Sequence, residues 1–510
     1  MATVNVASIL NDSAQRYPEN VAVITGPIRR TYAQLWDDAR RYAAVLAAHG
    51  IGRGDRVALL IPNIPHFPAA YYGTLALGAT VVPIHALLVA DEISYVLEDS
   101  ACKVLIAAGP LLGEGAKGAE LANVPVLTVM ADESTGFPQL DVLARSTEPI
   151  SGYASTGPDD EAVVLYTSGT TGKPKGALLS HNNLLWNASL CTFDVIKIAP
   201  EDVILGCLPL FHSFGQSCTM NAGLRAGASI VMMPRFDGAG ALDLMVTENV
   251  TIFMGVPTMY IALLEAASKD ERRPTLSRAV SGGASLPVAI IDRFADIFGA
   301  DIYEGYGLSE TSPVASFNQD WCGRKPGTVG RAVWGTEIGI AAADNEDSIE
   351  LLPQGASGEV VLRGHHIFNG YLNKPEATAA VMRDGWFRTG DIGILDEDGF
   401  LSIVDRKKDL IIRGGFNVYP REVEEVISRM PGVAQVAVVG VPDDHYGEEI
   451  CAVVTVAAGT DPGSVTPETV TAFAQEHLAK HKYPRRVEIV DSLPMGPSGK
   501  VLKREIVKGL

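Results

Sequence analysis

Residues 162–176 read AVVLYTSGTTGKPKG. The first six residues form an apolar, β-branched run of the length of a buried strand. From Tyr166 to Gly176 the chain then holds three Gly, three Thr and two Lys around one Ser and one Pro. A loop of this kind, leaving a buried strand, can wrap backbone N–H groups and hydroxyls around phosphate oxygens. Glycine lets the backbone approach closely and adopt positive φ. Thr167, Ser168, Gly169, Thr170, Thr171 and Gly172 supply the loop, and Lys173 and Lys175 supply charge. The Walker pattern GxxxxGK followed by Ser or Thr is missing, because Gly169 and Gly172 stand too close and Pro174 follows Lys173. That disfavours an ordinary P-loop ATPase. A plain surface turn would use the same residues.

Working outward, RVALLI, ATVVPI, KVLIAA, ASIVMM and VTIFMGV are further apolar runs that predict buried parallel strands. Helical stretches such as TYAQLWDDARRYAAVLAAHG, ending on a Gly, lie between them. Strand–helix alternation predicts an α/β fold with mostly parallel sheets up to about residue 320. From roughly Gly323 to Val404, Gly becomes frequent, and GEVVLRG and GFLSIVD predict antiparallel strands. After Asp405 comes a compact α+β unit, with LIIRGG, a helix at REVEEVISRM, then QVAVVGV and ICAVVTV. There is no internal repeat and no low-complexity tract.

At 510 residues the chain is too long for one core and implies roughly two to four domains or subdomains. With 47% hydrophobic and 20% charged residues it reads as a soluble globular protein. Its net charge of −19 argues against non-specific binding to nucleic acid or anionic membranes. From Arg406 onward 14 basic residues cancel 14 acidic ones, so the whole excess lies before Arg406. The tail is therefore the surface that tolerates an anionic ligand. Six scattered cysteines without a CxxC pair predict a reduced, cytoplasmic protein without a zinc site. The first residues lack the basic and apolar regions of a signal peptide. Val57–Ala90 is free of charge over 34 positions, but Pro62, Pro65, Pro68 and Pro83 interrupt it, which predicts a buried βαβ core, not a membrane span.

The glycine–threonine segment resembles the phosphate-loop signature of the adenylate-forming superfamily, which includes acyl-CoA synthetases, peptide-synthetase adenylation domains and luciferases. YGLSET (Tyr306–Thr311), WFRTGD (Trp386–Asp391), VDRKKDLIIRGGFNVYPREVE (Val404–Glu424) and PSGKVLKRE (Pro497–Glu505) resemble its later signatures, in order. The resemblance runs from about residue 10 to the end of the chain. It implies a large N-terminal AMP-binding domain, residues 1–404, made of two α/β subdomains and a distorted β-barrel. A small mobile α+β domain, residues 405–510, would turn about a hinge at Asp405. It also implies a two-step reaction with ATP, Mg²⁺ and coenzyme A. A carboxylate attacks the α-phosphorus to give an acyl-adenylate and pyrophosphate, and a thiol then displaces AMP. Charge neutralisation and positioning would carry the catalysis.

The resemblance assigns roles residue by residue. Glu310 would bind Mg²⁺, and Ser309 would hydrogen-bond the α-phosphate. Tyr306 would stack on adenine, with Gly282, Gly283, Ala284, Glu304 and Gly305 completing the nucleotide site. Asp391 would accept both ribose hydroxyls, and Arg406 would add a ribose or phosphate contact. Lys500 would stabilise charge on the substrate carboxylate and α-phosphate. Gly414 and Gly415 would line the pantetheine tunnel after the small domain rotates, and Lys408 would join the coenzyme A site. His212, in LPLFHSFG, would sit near the carboxylate, with Met254, Gly282, Gly307, Pro313 and Val314 walling the acyl pocket. One departure is HALLVADEI (His85–Ile93), which has His-Ala where Asn-Pro is expected, at a position read as a surface or interface turn.

The pocket segments offer no clear Arg or Lys for a second carboxylate and no Asp for an α-amino group. A medium- or long-chain fatty acid is therefore the expected substrate, with an arylpropenoate of the 4-coumarate type as the alternative. A second alternative is an acyl-AMP ligase loading a carrier protein, and no insertion between WFRTGD and VDRKKD favours it. A third is a catalytically inactive adenylate-binding scaffold, against which Glu310, Asp391, Arg406 and Lys500 all argue. A serine hydrolase is disfavoured because GLSET ends in Thr where the nucleophile elbow needs Gly. The implied partners are small molecules, with no nucleic acid and no integral membrane segment. A homodimer is admitted.

Overall fold

The computed structural model describes residues 4–167, 173–443, 445–457, 459–461, 463–496 and 501–510, apart from the side chain of Asn417. Two large sheets, each mixed and mostly parallel, form the body. The first has six strands in the spatial order Val126–Val129, Val104–Ala108, Arg56–Leu60, Thr80–Pro83, Glu161–Thr167 and Lys175–Ser180. All its pairs are parallel except the last, where Thr167 pairs with Lys175 across an antiparallel hairpin. The chain therefore leaves this sheet at its carboxyl end after Thr167 and returns to it at Lys175.

The second sheet has nine strands. Val21–Thr25, Ser229–Met232, Val203–Gly206, Ile252–Gly255, Arg278–Ser281 and Ile302–Gly307 run parallel as neighbours. Antiparallel strands close both edges, Ile28–Thr31 on one side, Val314–Phe317 and Arg331–Ala332 on the other. Antiparallel pairing thus appears at sheet edges before the change of texture near Gly323, at Ile28–Thr31, Lys175–Ser180 and Val314–Phe317. A third sheet, Thr336–Ala341, Ser357–Gly364, Trp386–Leu395, Met382–Arg383 and Leu401–Arg406, is wholly antiparallel and curls into a half-barrel. The C-terminal sheet is built on the long hairpin Val433–Asp443 and Gly447–Val456, with Ile411–Arg413, Phe416–Val418 and Arg486–Ile489 at its flanks.

Val57–Ala90 is the buried unit its charge-free sequence predicts. Strand, helix His66–Ala76 and strand follow one another, and Phe67, Tyr71, Tyr72 and Leu75 are fully buried. No described helix is long and apolar enough to cross a membrane. Helix Tyr32–Ala48 starts on a capping box in which Thr31 accepts from the Gln34 N–H. Polar bonds lock the two large sheets together. The Tyr72 hydroxyl donates to Asn221 Oδ1 at 2.7 Å. Buried Asn63 donates to the carbonyls of Gly206 and Leu208 and accepts from the Leu210 N–H at 3.1 Å. That side chain fixes the loop carrying His212.

Candidate active site

A cavity of about 1020 Å³ opens where the carboxyl ends of both large sheets meet the half-barrel and the start of the C-terminal unit. Crevices outside the carboxyl ends of α/β strands are where such sheets bind ligands. Thr167 and Lys175 line it from the hairpin, and its base is pinned by two tyrosines. The Tyr166 hydroxyl donates to Asp99 Oδ2 at 2.7 Å, and the Tyr95 hydroxyl donates to the Pro174 carbonyl at 2.8 Å. Gly176 is required here, since a Cβ would lie 2.6 Å from Val164 Cγ1. Ser168, Gly169, Thr170, Thr171 and Gly172 lie outside the described residues, and so does Lys500.

Strand Ile302–Gly307 delivers Gly305, Tyr306 and Gly307 to the cavity wall, and the turn Ser309–Thr311 delivers Ser309 and Glu310. Thr311 Oγ1 ties that turn by accepting from the Leu308 N–H at 2.8 Å. Glu310 is 7% exposed, and burial pushes its carboxyl above the ordinary range. Its Oε1 accepts the Tyr371 hydroxyl at 2.8 Å. No group of three or more His, Cys, Asp or Glu among the described residues could hold a metal alone. A single carboxylate facing a cavity does suit Mg²⁺, which keeps waters and takes one or two carboxylates beside substrate phosphates.

Tyr306 donates to Asp391 Oδ2 at 2.6 Å, and Arg406 Nε stands 3.3 Å from Asp391 Oδ1. These two partners orient the Asp391 carboxylate at the cavity wall. The turn carrying Asp391 is held from behind. Glu359 accepts from the Gly390 N–H at 3.1 Å and pairs with Arg388 at 3.1 Å, both side chains being 5% exposed or less. Arg406, Lys407 and Lys408 line the cavity beside Asp391, and burial pulls the Lys408 ammonium below its usual range.

At the other end His212 lines the cavity, its Nδ1 accepting from the Phe214 N–H at 3.3 Å, with Gly282, Gly283, Pro313 and Val314. Beyond them the wall is apolar, formed by Val195, Ile196, Cys218, Val280 and Phe317. Cys218 sits on a π-helical segment, Phe214–Asn221, which no periodicity in the sequence announces. The six cysteines are free.

Several sequence-predicted residues do not reach the cavity. Met254 is fully buried, its sulfur 3.7 Å from Thr219 Oγ1, because its strand lies in the middle of the sheet. Ala284 is exposed outside the cavity, and Glu304 is buried behind its wall, accepting from the Gly327 N–H at 3.2 Å. Gly414 and Gly415 form a hairpin tip between Arg413 and Phe416, both at positive φ, away from the cavity. Asp405 lies in the half-barrel strand Leu401–Arg406 and accepts from the Arg421 N–H at 2.9 Å, joining body and C-terminal unit. The turn after Pro83 is exposed at Leu87 and Val89, as a surface or interface turn should be, but His85 faces inward. Strand Thr80–Pro83 delivers it half-buried to the cavity wall, its ring 4.3 Å from that of Phe211.

The sequence reading missed Tyr371, Arg388 and Glu359 as parts of the cavity wall. The signal for Tyr371 was an aromatic in NGYLNKPEAT, directly before a Pro-started helix, Pro375–Val381.

The family described as AMP-binding enzyme matches residues 10–372, and its C-terminal domain matches residues 422–500. This chain belongs to the AMP-binding enzyme family. It is an AMP-forming acyl-CoA ligase, for which ATP and coenzyme A are substrates. It is 36% identical over 532 residues to a long-chain-fatty-acid–CoA ligase of Bacillus subtilis, covering 98% of this chain and 94% of that one. It is 37% identical over 499 residues to a feruloyl-CoA synthase of Amycolatopsis, covering 97% and 96%. The solved structure of ATP-bound MatB from Rhodopseudomonas palustris superposes with a TM-score of 0.89 at 33% identity, covering 100% of this chain and 99% of that one.

Proposed function

We propose that this ligase activates a medium- or long-chain fatty acid through an acyl-adenylate and transfers it to coenzyme A. The observation that carries this reading is the apolar far wall of the cavity, Val195, Ile196, Cys218, Val280 and Phe317, without a cation among them. Burying each methylene of an acyl tail against such a wall contributes about 0.8 kcal/mol.

In this reading His212 stands at the carboxylate end, and Lys175 with the Thr167–Gly172 loop holds the β and γ phosphates. Ser309 and Lys500 meet the α-phosphate. Tyr306 packs on adenine, while Asp391 and Arg406 hold the ribose. Mg²⁺ held at Glu310 supplies charge neutralisation to the phosphates. The small domain then turns about Asp405, bringing Gly414, Gly415 and Lys408 to the pantetheine arm and diphosphate of coenzyme A. The neutral charge balance from Arg406 onward supports that last step.

A second reading, an arylpropenoic acid, is favoured by one feature. The chain is 37% identical over 499 residues to a feruloyl-CoA synthase of Amycolatopsis. Thioester formation across short, medium, long and aromatic acids separates the two. Highest kcat/KM for acids of eight carbons or more supports the first reading, and a preference for cinnamic-type acids replaces it with the second.

A further inference from the structure

Segment 368–372 touches two separate parts of the site. The Phe368 N–H donates to the Glu310 carbonyl at 2.9 Å. The Asn369 N–H donates to the Leu178 carbonyl and the Leu372 N–H to the Gly176 carbonyl, each at 2.8 Å, along the strand that follows the phosphate loop. Tyr371 sits between these anchors. Its N–H donates to Thr378 Oγ1 at 2.8 Å, and the Phe368 ring meets its ring edge-on at 4.8 Å. The backbone is thus fixed before the side chain does anything. Its hydroxyl donates to Glu310 Oε1 at 2.8 Å. The Lys175 ammonium lies 5.1 Å from its ring centroid.

We infer that Tyr371 is a positioning residue with two separable effects: its hydroxyl restricts Glu310 to gripping a divalent cation through one carboxylate oxygen, and its ring face seats Lys175 at the same end of the cavity. This rests on the proposed role of Glu310 as the metal ligand. A carboxylate whose one oxygen accepts a phenol offers the other to a cation. One-oxygen contact suits a small octahedral ion such as Mg²⁺, whereas Ca²⁺ readily takes both oxygens of a carboxylate. The ring face attracts the ammonium through its quadrupole, which phenylalanine also provides. The phenol therefore acts on the metal, and the ring acts on the phosphate-binding lysine.

Calorimetric titration of the full-length protein with ATP, first without divalent ions and then across Mg²⁺ and Ca²⁺ concentrations, separates the effects without turnover. Tyr371→Phe is expected to leave metal-free ATP affinity within about twofold. It is expected to raise the Mg²⁺ needed for half-maximal tightening by about tenfold, the worth of one hydrogen bond to a charged group. It should also move the Ca²⁺-to-Mg²⁺ preference toward Ca²⁺. Tyr371→Leu should in addition weaken metal-free ATP binding by about threefold through loss of the ring. In a Glu310→Gln background, Tyr371→Phe should add nothing to the Mg²⁺ requirement. An unchanged Mg²⁺ requirement in Tyr371→Phe overturns the inference, and so does an effect that adds fully to that of Glu310→Gln. If Glu310→Gln alone leaves the Mg²⁺ requirement unchanged, the metal reading of Glu310 itself fails. A Glu310→Gln effect without a Tyr371→Phe effect sinks the Tyr371 inference alone.

Discussion

Glu304 gives the sharpest test of the electrostatics behind the cavity wall. It is 4% exposed, and burial is the main cause that pushes its carboxyl from an ordinary 4.5 up to about 7. The Gly327 N–H and the guanidinium groups of Arg421 and Arg324 oppose that push without cancelling it. Between those two pH values the folded protein keeps a proton that the unfolded chain has released. The stability this proton contributes is fully present below about pH 4.5 and is lost as pH rises through about 7. The displacement corresponds to about 3 kcal/mol. Glu304→Gln removes the titration while keeping the shape and an acceptor for the Gly327 N–H. Relative to wild type, the variant should therefore gain about 3 kcal/mol between pH 5 and pH 8. Urea unfolding of both proteins at half-unit pH intervals reads this as a midpoint difference that widens with pH. A difference that is the same at pH 5 and pH 8 would refute the reasoning.

Other predictions concern packing and pocket shape. Glu359→Leu leaves the Arg388 guanidinium buried without its carboxylate and should destabilise the half-barrel by about 3–5 kcal/mol in denaturant titrations. Glu337→Ala, which opens an exposed pair with Arg363, should leave the unfolding midpoint in the same assay unchanged. Gly307→Ala would put a Cβ 1.7 Å from the Pro313 carbonyl oxygen, so soluble yield and ATP binding should both collapse. Cys218→Trp should shorten the far end of the pocket. The kcat/KM for a sixteen-carbon acid should fall by about tenfold or more, while that for a four-carbon acid stays within about threefold.

Much of the architecture was legible because local chemistry dictated it. Apolar runs such as Arg56–Leu60 and Ile252–Gly255 could only be strands buried on both faces. The prolines in Val57–Ala90 excluded a long helix, and the helix there is the short His66–Ala76. The wall residues Tyr306, Ser309, Glu310, Asp391 and Arg406 were reachable through motif resemblance, and the fold brings them to one cavity. What escaped were pairings made only by tertiary contact. Tyr371 reaches Glu310 across 61 positions and Arg388 reaches Glu359 across 29, and neither spacing carries a periodic signal. Met254 was misplaced because a central strand shows an apolar side chain without showing which face it takes. The turn at His85–Ile93 was legible as exposed, but not that the strand before it aims its first residue, His85, at Phe211.

The central claim is that one cavity serves both an acyl-adenylate and a thioester step. Single-turnover mixing of the full-length protein with ATP, Mg²⁺ and a long-chain acid tests it most directly, with coenzyme A added only after a delay. The account predicts enzyme-bound acyl-adenylate and one equivalent of pyrophosphate before the addition, then AMP and thioester in equal amounts after it. Release of ADP and phosphate, or thioester appearing with no adenylate before it, would contradict the account.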